Sequence, residues 1–313
     1  MYEKLVIVTR RTRLEELVER FNTRGQARFY IEHAGGDFCA YEGEHEAYER
    51  ALARLHRDLE LGLPRQFLDR SLLPTYVFGE RDLVVTVGQD GLVANTAKYV
   101  GAQPIVAVNP DPERIDGILL PFTMPQARAM VEATLAGRAA VRGVTLAETV
   151  LGDGQRLLAF NDFFIGARTH VSARYRIRAG ELSEAHSSSG VLVSTGAGST
   201  GWISSVFNMA AGVTAFSGGS PGRAFGLPWE DPRLLFAVRE PFASRQSAAS
   251  IVAGWIEAGE ELVIESLMPA GGVIFSDGVE SDFLRFEAGA TARVRAAEQR
   301  AQLVVGVRKG KRA

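Results

Sequence analysis

The chain has 313 residues, 46% of them hydrophobic, and a formal net charge of −2. That length suffices for two domains with their own cores, and the near-neutral charge gives no electrostatic reason to expect nucleic acid or an anionic membrane as partner. Cys39 is the only cysteine, which excludes a disulfide framework and a zinc cluster. The basic residues are mostly arginine, which reads as genome composition before any phosphate-binding role. The start, MYEKLVIVTRR, has no apolar core ahead of a cleavage site, and no apolar run approaches the roughly 20 residues of a membrane span. The expectation is a soluble, cytoplasmic protein.

Leu5–Val8 reads as a short buried strand and Thr12–Arg24 as a helix, after which Ala27–His33 reads as strand again. Tyr48, Leu52, Leu55 and Leu59 mark one face of a helix over Glu44–Leu59. Leu83–Val87 is a β-branched run that enters Gly88-Gln89-Asp90-Gly91; Leu92–Val100 then looks helical and Ile105–Val108 is strand. Alternating β and α segments with continuous apolar strands predict a doubly wound parallel α/β domain over residues 1–122.

Thr123-x-x-Gln126 matches a capping box opening a helix to about Gly137, which is expected to join two domains. Beyond it the period shifts to two. Val171, Ala173, Tyr175 and Ile177 alternate with Ser172, Arg174, Arg176 and Arg178. Val191–Val193, Ile251–Val252, Leu262–Ile264, Ala292–Val294 and Leu303–Val307 are further strand candidates. Residues 123–313 therefore read as a mainly antiparallel β domain, with Lys309–Ala313 as a disordered tail.

Ligands of an α/β domain gather at the carboxyl ends of its strands. Gly35-Gly36-Asp37 and Gly88-Gln89-Asp90-Gly91 both follow predicted strands. A glycine turn admits phosphate oxygens to the backbone, and an aspartate beside it can accept a hydroxyl proton; an ordinary turn explains either equally. There is no G-x-x-x-x-G-K-[ST] motif. Asn161-Asp162, after the predicted strand Leu157–Phe160, suits ribose hydroxyls or a base edge, and also plain turn initiation. Asp277-Gly278 is first a hairpin signal. His170 and His186 stand without a serine or metal partner in sequence and read as surface or structural.

The densest stretch is Ser187–Ala211. A serine run and the apolar Val191–Val193 lead into a loop holding Ser194, Thr195, Gly196, Gly198, Ser199, Thr200 and Gly201. Trp202, Val206 and Ala210 then mark a helix ending at Gly212. Strand, glycine loop and helix in that order aim backbone N–H groups at an anion. Gly196-x-Gly198-x-x-Gly201 fits a dinucleotide-binding expression, but that motif belongs after the first strand of a βαβ unit, and this one lies in the β half.

The order of these motifs resembles the NAD kinase family, from about Lys4 to Val307. The family's Gly-Gly-Asp-Gly matches Gly88-Gln89-Asp90-Gly91, and its Asn-Glu matches Asn161-Asp162. Its Ser-Thr-Pro-Thr-Gly-Ser-Thr-Ala-Tyr matches Ser194–Trp202, and its late Asp-Gly matches Asp277-Gly278. Gly35-Gly36-Asp37 lies too far upstream of Asn161 to be the equivalent turn. The resemblance implies an NAD kinase-like fold and phosphoryl transfer from ATP or polyphosphate to a ribose hydroxyl of NAD or a related nucleoside, with Asp90 as general base. It implies that Gly88, Gln89, Gly91, Gly196, Gly198 and Ser199 hold the donor phosphates. Asn161, Asp162, Ser189, Thr200, Gly201, Trp202, Ser205 and Asp277 would hold the acceptor. Mg²⁺ would be carried mainly on the phosphates, and the protein would be a homodimer or homotetramer.

Several positions depart from the family pattern. Gln89 replaces a glycine, Ser189 stands where many members carry aspartate, Gly196 replaces proline, Gly201 alanine and Trp202 tyrosine. Val108-Asn109-Pro110-Asp111-Pro112 replaces a glycine-histidine-rich segment, and the usual closing helix after Val307 is missing. Two other readings share the motifs: a catalytically weak nucleotide-binding sensor, favoured by Gln89, and a related kinase with a lipid or sugar acceptor.

Overall fold

The computed structural model describes residues 1–220, 222 and 226–308. The chain forms two compact units, Met1–Arg142 with 302–313, and Gly143–Ala301. The boundary therefore falls after Arg142, not at residue 122, and the last strand returns to the first unit. The helix expected to join two domains belongs wholly to the first. The predicted tail, Lys309–Ala313, lies outside the described residues.

The first unit is built on strands β1 (Lys4–Thr9), β2 (Arg65–Asp69), β3 (Asp82–Val87), β4 (Pro104–Asn109) and the short β5 (Phe122–Thr123). Its helices are α1 (Arg13–Phe21), α2 (Arg24–His33), α3 (Phe38–Asp58), α4 (Asp90–Ala97) and α5 (Met124–Leu135). The order β2-β1-β3-β4 is parallel throughout, and Gln302 and Leu303 add a further parallel pairing with Pro104 and Ile105. Both faces of the central strands are buried, which is why they read as unbroken apolar runs. Leu5, Ile7, Val85 and Val106 pack with Tyr48 and Leu55 of α3 and Ala127 and Val131 of α5.

Two local expectations fail here. Residues Ala27–His33 form most of α2 instead of a strand. Thr23 caps the helix by accepting from Gln26 N–H, and Ala27 and Ile31, one helical turn apart, pack with Leu14 and Phe38 while Phe29 and Tyr30 stay exposed. Tertiary packing overrides the strand preference of Phe-Tyr-Ile. Gly35-Gly36-Asp37 consequently follows a helix: Gly36 N–H bonds back to Ile31 C=O, and Asp37 caps α3. The capping box at Thr123 and Gln126 forms as expected.

The second unit holds most of β6 (Ala139–Leu151), β7 (Arg156–Ala159), β8 (Asp162–Ala167), β9 (Ala173–Ala179), β10 (Leu182–Ser188), β11 (Val191–Ser194), β12 (Leu234–Val238), β13 (Ala253–Ile256), β14 (Leu262–Ser266), β15 (Gly272–Ser276), β16 (Phe283–Arg285) and the part of β17 (Thr291–Val307) before Gln302. Helix α6 (Trp202–Phe216) lies among them. Six strands, β13-β12-β11-β8-β15-β16, make one antiparallel sheet, and β10-β9-β14-β17 run antiparallel in another. Phe163, Ile165, Val193 and Ile274 of the first pack with Tyr175, Ile177, Ile264 and Val294 of the second.

Three boundaries differ. Ala292–Val294 and Leu303–Val307 belong to one strand, β17, because its polar Glu298–Arg300 interruption stays in extended backbone. The strand expected at Ile251–Val252 begins at Ala253. Helix α6 runs past Gly212 and ends at Ser217, where Gly219 N–H bonds to Thr214 C=O; one interior glycine costs only about 1 kcal/mol. His186 is buried, with Nε2 2.6 Å from Glu184 Oε1 and its ring stacked on Tyr175, a structural role as expected.

Candidate functional site

In the first unit the order β2-β1-β3-β4 reverses direction of growth between β1 and β3, so the crevice at their carboxyl ends is the switch point where such folds bind ligands. Gly88, Gln89 and Asp90 follow β3 directly. Gln89 is the N-cap residue of α4 and makes no side-chain cap bond; Asp90 is the first helical residue. The Asp90 Oδ1 accepts the Leu119 N–H at 2.5 Å, and Oδ2 has no hydrogen-bond partner among the described residues. One oxygen fixes the carboxylate and the other is free to accept a proton. The Leu119 backbone is presented by the segment after β4, which Asn109 folds by bonding Asp111 N–H and Ile115 C=O.

The second unit brings three separate motifs together. The Asp277 carboxylate accepts the backbone N–H groups of Phe160 (3.0 Å), Asn161 (2.6 Å) and Asp162 (3.3 Å), while Asp277 N–H donates to Asp162 C=O. Asp277 has φ 53° and Gly278 φ 70°, the pair of positive values a tight hairpin turn requires. Thr195 N–H donates to Asn161 C=O, and the Thr195 hydroxyl donates to Phe160 C=O at 2.6 Å. Gly198 sits so close to this carbonyl that a Cβ there would lie 2.1 Å from Asn161 O. The Asn161 backbone is thus locked from both sides, and its side-chain amide has no hydrogen-bond partner among the described residues.

The glycine loop is less open than its sequence suggests. Residues Ala197–Thr200 form a 3₁₀ turn in which Ser199 N–H bonds Gly196 C=O, Gly201 N–H bonds Gly198 C=O, and Gly198 N–H bonds the Thr195 hydroxyl. The Ser199 hydroxyl donates to Gly196 C=O and accepts Leu227 N–H. Gly198 and Ser199 thus hold the loop's shape. Thr200, Gly201 and Ser205 are solvent-exposed.

Asp162 is 7% exposed, and burial first, then the nearby Asp277 charge, pushes its carboxyl up to about 7. The folded chain therefore binds this proton more tightly than the unfolded one. The contribution of this carboxyl to stability is fully present only below 3.8, where both states are protonated, and falls as pH rises until Asp162 ionises near 7, by a few kcal/mol in all. Asp162→Asn should flatten that decline and raise the melting midpoint relative to the native chain at about pH 8. Melting curves from about pH 5 to pH 8 check it; parallel pH profiles for the two proteins would refute it.

A cavity of about 460 Å³ opens beside the start of α6. Phe164, Phe275, Phe283 and Trp202 form its walls, and Ser189, Arg168, Arg239 and Glu280 supply polar groups. Trp202 stacks on Phe164 (5.8 Å, 10°), which in turn stacks on Phe275 (5.0 Å). The Arg239 guanidinium lies 5.4 Å from the Trp202 ring and Arg168 4.2 Å from Phe283. Trp202 and Ser189 are predicted site residues that meet here. Arg168, Arg239 and the three phenylalanines were not legible, because they meet only through the pairing of β8 with β15, β15 with β16 and β11 with β12.

Structural comparison matches the chain to yeast NADH kinase complexed with NADH (TM-score 0.58, 17% identity, 98% of this chain and 84% of that one). An NAD kinase from Archaeoglobus fulgidus in complex with ATP matches with a TM-score of 0.53 and 15% identity, over 96% of this chain and 93% of that one. The chain has the NAD kinase fold, an α/β domain followed by a β domain. In sequence it is 26% identical over 219 residues to the probable NADH kinase of Oryza sativa subsp. japonica, so the resemblance read from its motifs stands. That alignment covers 62% of the chain and 62% of the rice protein, under two thirds of each. No family model matches. No helix among the described residues is long and apolar enough to cross a membrane.

Proposed function

We propose that the protein is a kinase that transfers a phosphoryl group from ATP or polyphosphate to a ribose hydroxyl of NAD or NADH. The observation that carries this reading is Asp90: a carboxylate at a strand's carboxyl end with one oxygen pinned and the other free. On this reading Asp90 takes the proton from the attacking hydroxyl. General-base help is worth about 10²–10⁴-fold, so positioning and charge stabilisation supply the rest. Gly88 and Gly91 line the phosphate path beside Asp90. Mg²⁺ offsets phosphate charge when bound. Glu44 of α3 and Asp111 after β4 are already paired with arginines, which fits an ion carried on the phosphates.

The acceptor side rests on the Asn161 amide, Asp162, Ser189 and Trp202. A base stacked on Trp202, with phosphates near Arg168 and Arg239, favours a nucleotide over a lipid or a free sugar. The homodimer or homotetramer implied by the resemblance belongs to the same reading and is checked by light scattering. The deciding experiment is a kinase assay with Mg²⁺-ATP and polyphosphate against NAD, NADH and a nucleoside panel. Binding without turnover would favour the nucleotide sensor.

Asn161→Ala should raise the acceptor KM by a factor corresponding to about 1–3 kcal/mol, because only the free amide is lost while the backbone anchors remain. An equal rise in donor KM would mark a folding defect instead. Ser189→Asp, which introduces a carboxylate into the cavity, should shift preference toward acceptors carrying an exocyclic amine by about 1–3 kcal/mol in relative kcat/KM. A strict NAD preference unmoved by the change would place base recognition elsewhere.

A further inference from the structure

The segment between β4 and β5 stands in place of the family's glycine-histidine-rich run, and Asn109, the last residue of β4, organises it. Asn109 is buried. Its Oδ1 accepts Asp111 N–H at 3.0 Å and its Nδ2 donates to Ile115 C=O at 2.9 Å, so one amide closes the loop at two points. The N–H groups of Arg114 and Ile115 both return to Asp111 C=O, and Arg114 Nη1 lies 2.6 Å from Asp111 Oδ2. Gly117 then takes φ 68° and passes so close that a Cβ there would lie 2.7 Å from Asn109 Nδ2. Leu120 N–H closes a turn onto Gly117 C=O, and Leu119 N–H, inside that turn, is delivered to Asp90 Oδ1.

That bond is the one hydrogen bond of the Asp90 side chain among the described residues. The loop has supports of its own: the Asn109 amide, the Asp111–Arg114 pair and the buried side chains of Leu119 and Leu120. The loop therefore holds Asp90, more than Asp90 holds the loop. The end of β4 grips the same turn a second time, because Gly88 N–H donates to Val108 C=O at 3.3 Å. Such support matters to chemistry, since a reacting group misplaced by about 1 Å loses about 10²-fold in rate.

We infer that Asn109 is a positioning residue for the proposed base: through Leu119 N–H it fixes which Asp90 oxygen is held and which is left to take the proton. The inference rests on the kinase reading for the meaning of that geometry. A purely structural Asn109 would cost stability and leave the rate of the folded enzyme alone. A positioning Asn109 lowers kcat and leaves both KM values, because its buried amide meets neither substrate.

Steady-state kinetics and amide hydrogen exchange on the full chain test it. Asn109→Ala should lower kcat at least about tenfold with both KM values within about twofold, and its Leu119 N–H should exchange at least about tenfold faster. Asn109→Ser, which can still accept Asp111 N–H, should recover part of both losses. Gly117→Ala keeps every atom of Asn109 but pushes on its amide; it should reproduce the kcat loss, and it serves where Asn109→Ala folds poorly. Gly180→Ala, the same change at a positive φ with open space around it in the second unit, should leave kcat alone. In an Asp90→Ala background, Asn109→Ala should cause no further loss of turnover. Equal losses with and without the Asp90 carboxylate, or an unchanged kcat in both Asn109→Ala and Gly117→Ala, overturn the inference while the kinase reading stands. A native chain without turnover removes the kinase reading instead. Faster Leu119 exchange in Asn109→Ala would then still show that Asn109 sets the contact to Asp90, and unchanged exchange would overturn that too.

Discussion

Asp90→Asn is expected to lower turnover by about 10²-fold or more while leaving acceptor affinity nearly unchanged. The asparagine side chain keeps the shape of the carboxylate, and its amide oxygen can still accept the Leu119 N–H, so the residue should stay where it is. What it loses is the second, unpartnered oxygen that can take a proton. A loss confined to kcat would identify an interaction made in the transition state, whereas a matching loss of acceptor binding would point to displaced structure. Single-turnover rates and acceptor calorimetry on the same preparation separate the two. Unchanged turnover would remove Asp90 from the chemistry.

Gly198→Ala should destabilise the protein by about 3 kcal/mol or more, a large effect for one methyl group. The added Cβ would lie 2.1 Å from Asn161 O, 2.6 Å from its carbonyl carbon and 2.7 Å from Ser194 Oγ. Backbone cannot swing aside as a flexible side chain can, because Asn161 is fixed by Asp277 on its N–H and by Thr195 on its carbonyl. The strain should therefore reach Asn161 and Asp162, proposed above to hold the acceptor, and weaken acceptor binding as well as folding. Gly212→Ala provides the contrast: it has open space around it in the exposed face of α6 and should stabilise by about 0.5–1 kcal/mol. Denaturant unfolding of the pair checks both signs; equal midpoints would refute the close-approach argument.

The sequence disclosed those parts of the fold that depend on local pattern. The run Leu83–Val87 followed by a glycine turn gave β3 and the start of α4, because a strand buried on both faces needs unbroken apolar residues. Alternation in Ala173–Ile177 gave β9 for the complementary reason. Where the deciding contacts were distant, pattern misled. Phe29-Tyr30-Ile31 has strand-forming residues, yet only Ile31 of the three packs inward, and a helix satisfies that. Nothing near residue 142 announces that residues 302–308 will return to the first unit. Within the site, the glycine turns and the Asn-Asp pair were visible because backbone demands restrict residue type. Arg168 and Arg239 were not, since an arginine after a strand looks like any solvated charge until neighbouring strands wall it in.

Every residue lining the aromatic cavity belongs to Gly143–Ala301, whereas the Gly88–Asp90 turn belongs to Met1–Arg142. On the proposed function, the pocket for the acceptor's base would be built from one module of the chain alone, and the proposed base Asp90 from the other. If so, an engineer could rework the β8–β9 loop and Ser189 for a new acceptor without altering a residue of the Gly88–Asp90 turn. Drift in the aromatic cavity would then change what is modified while leaving the Gly88–Asp90 turn as it stands.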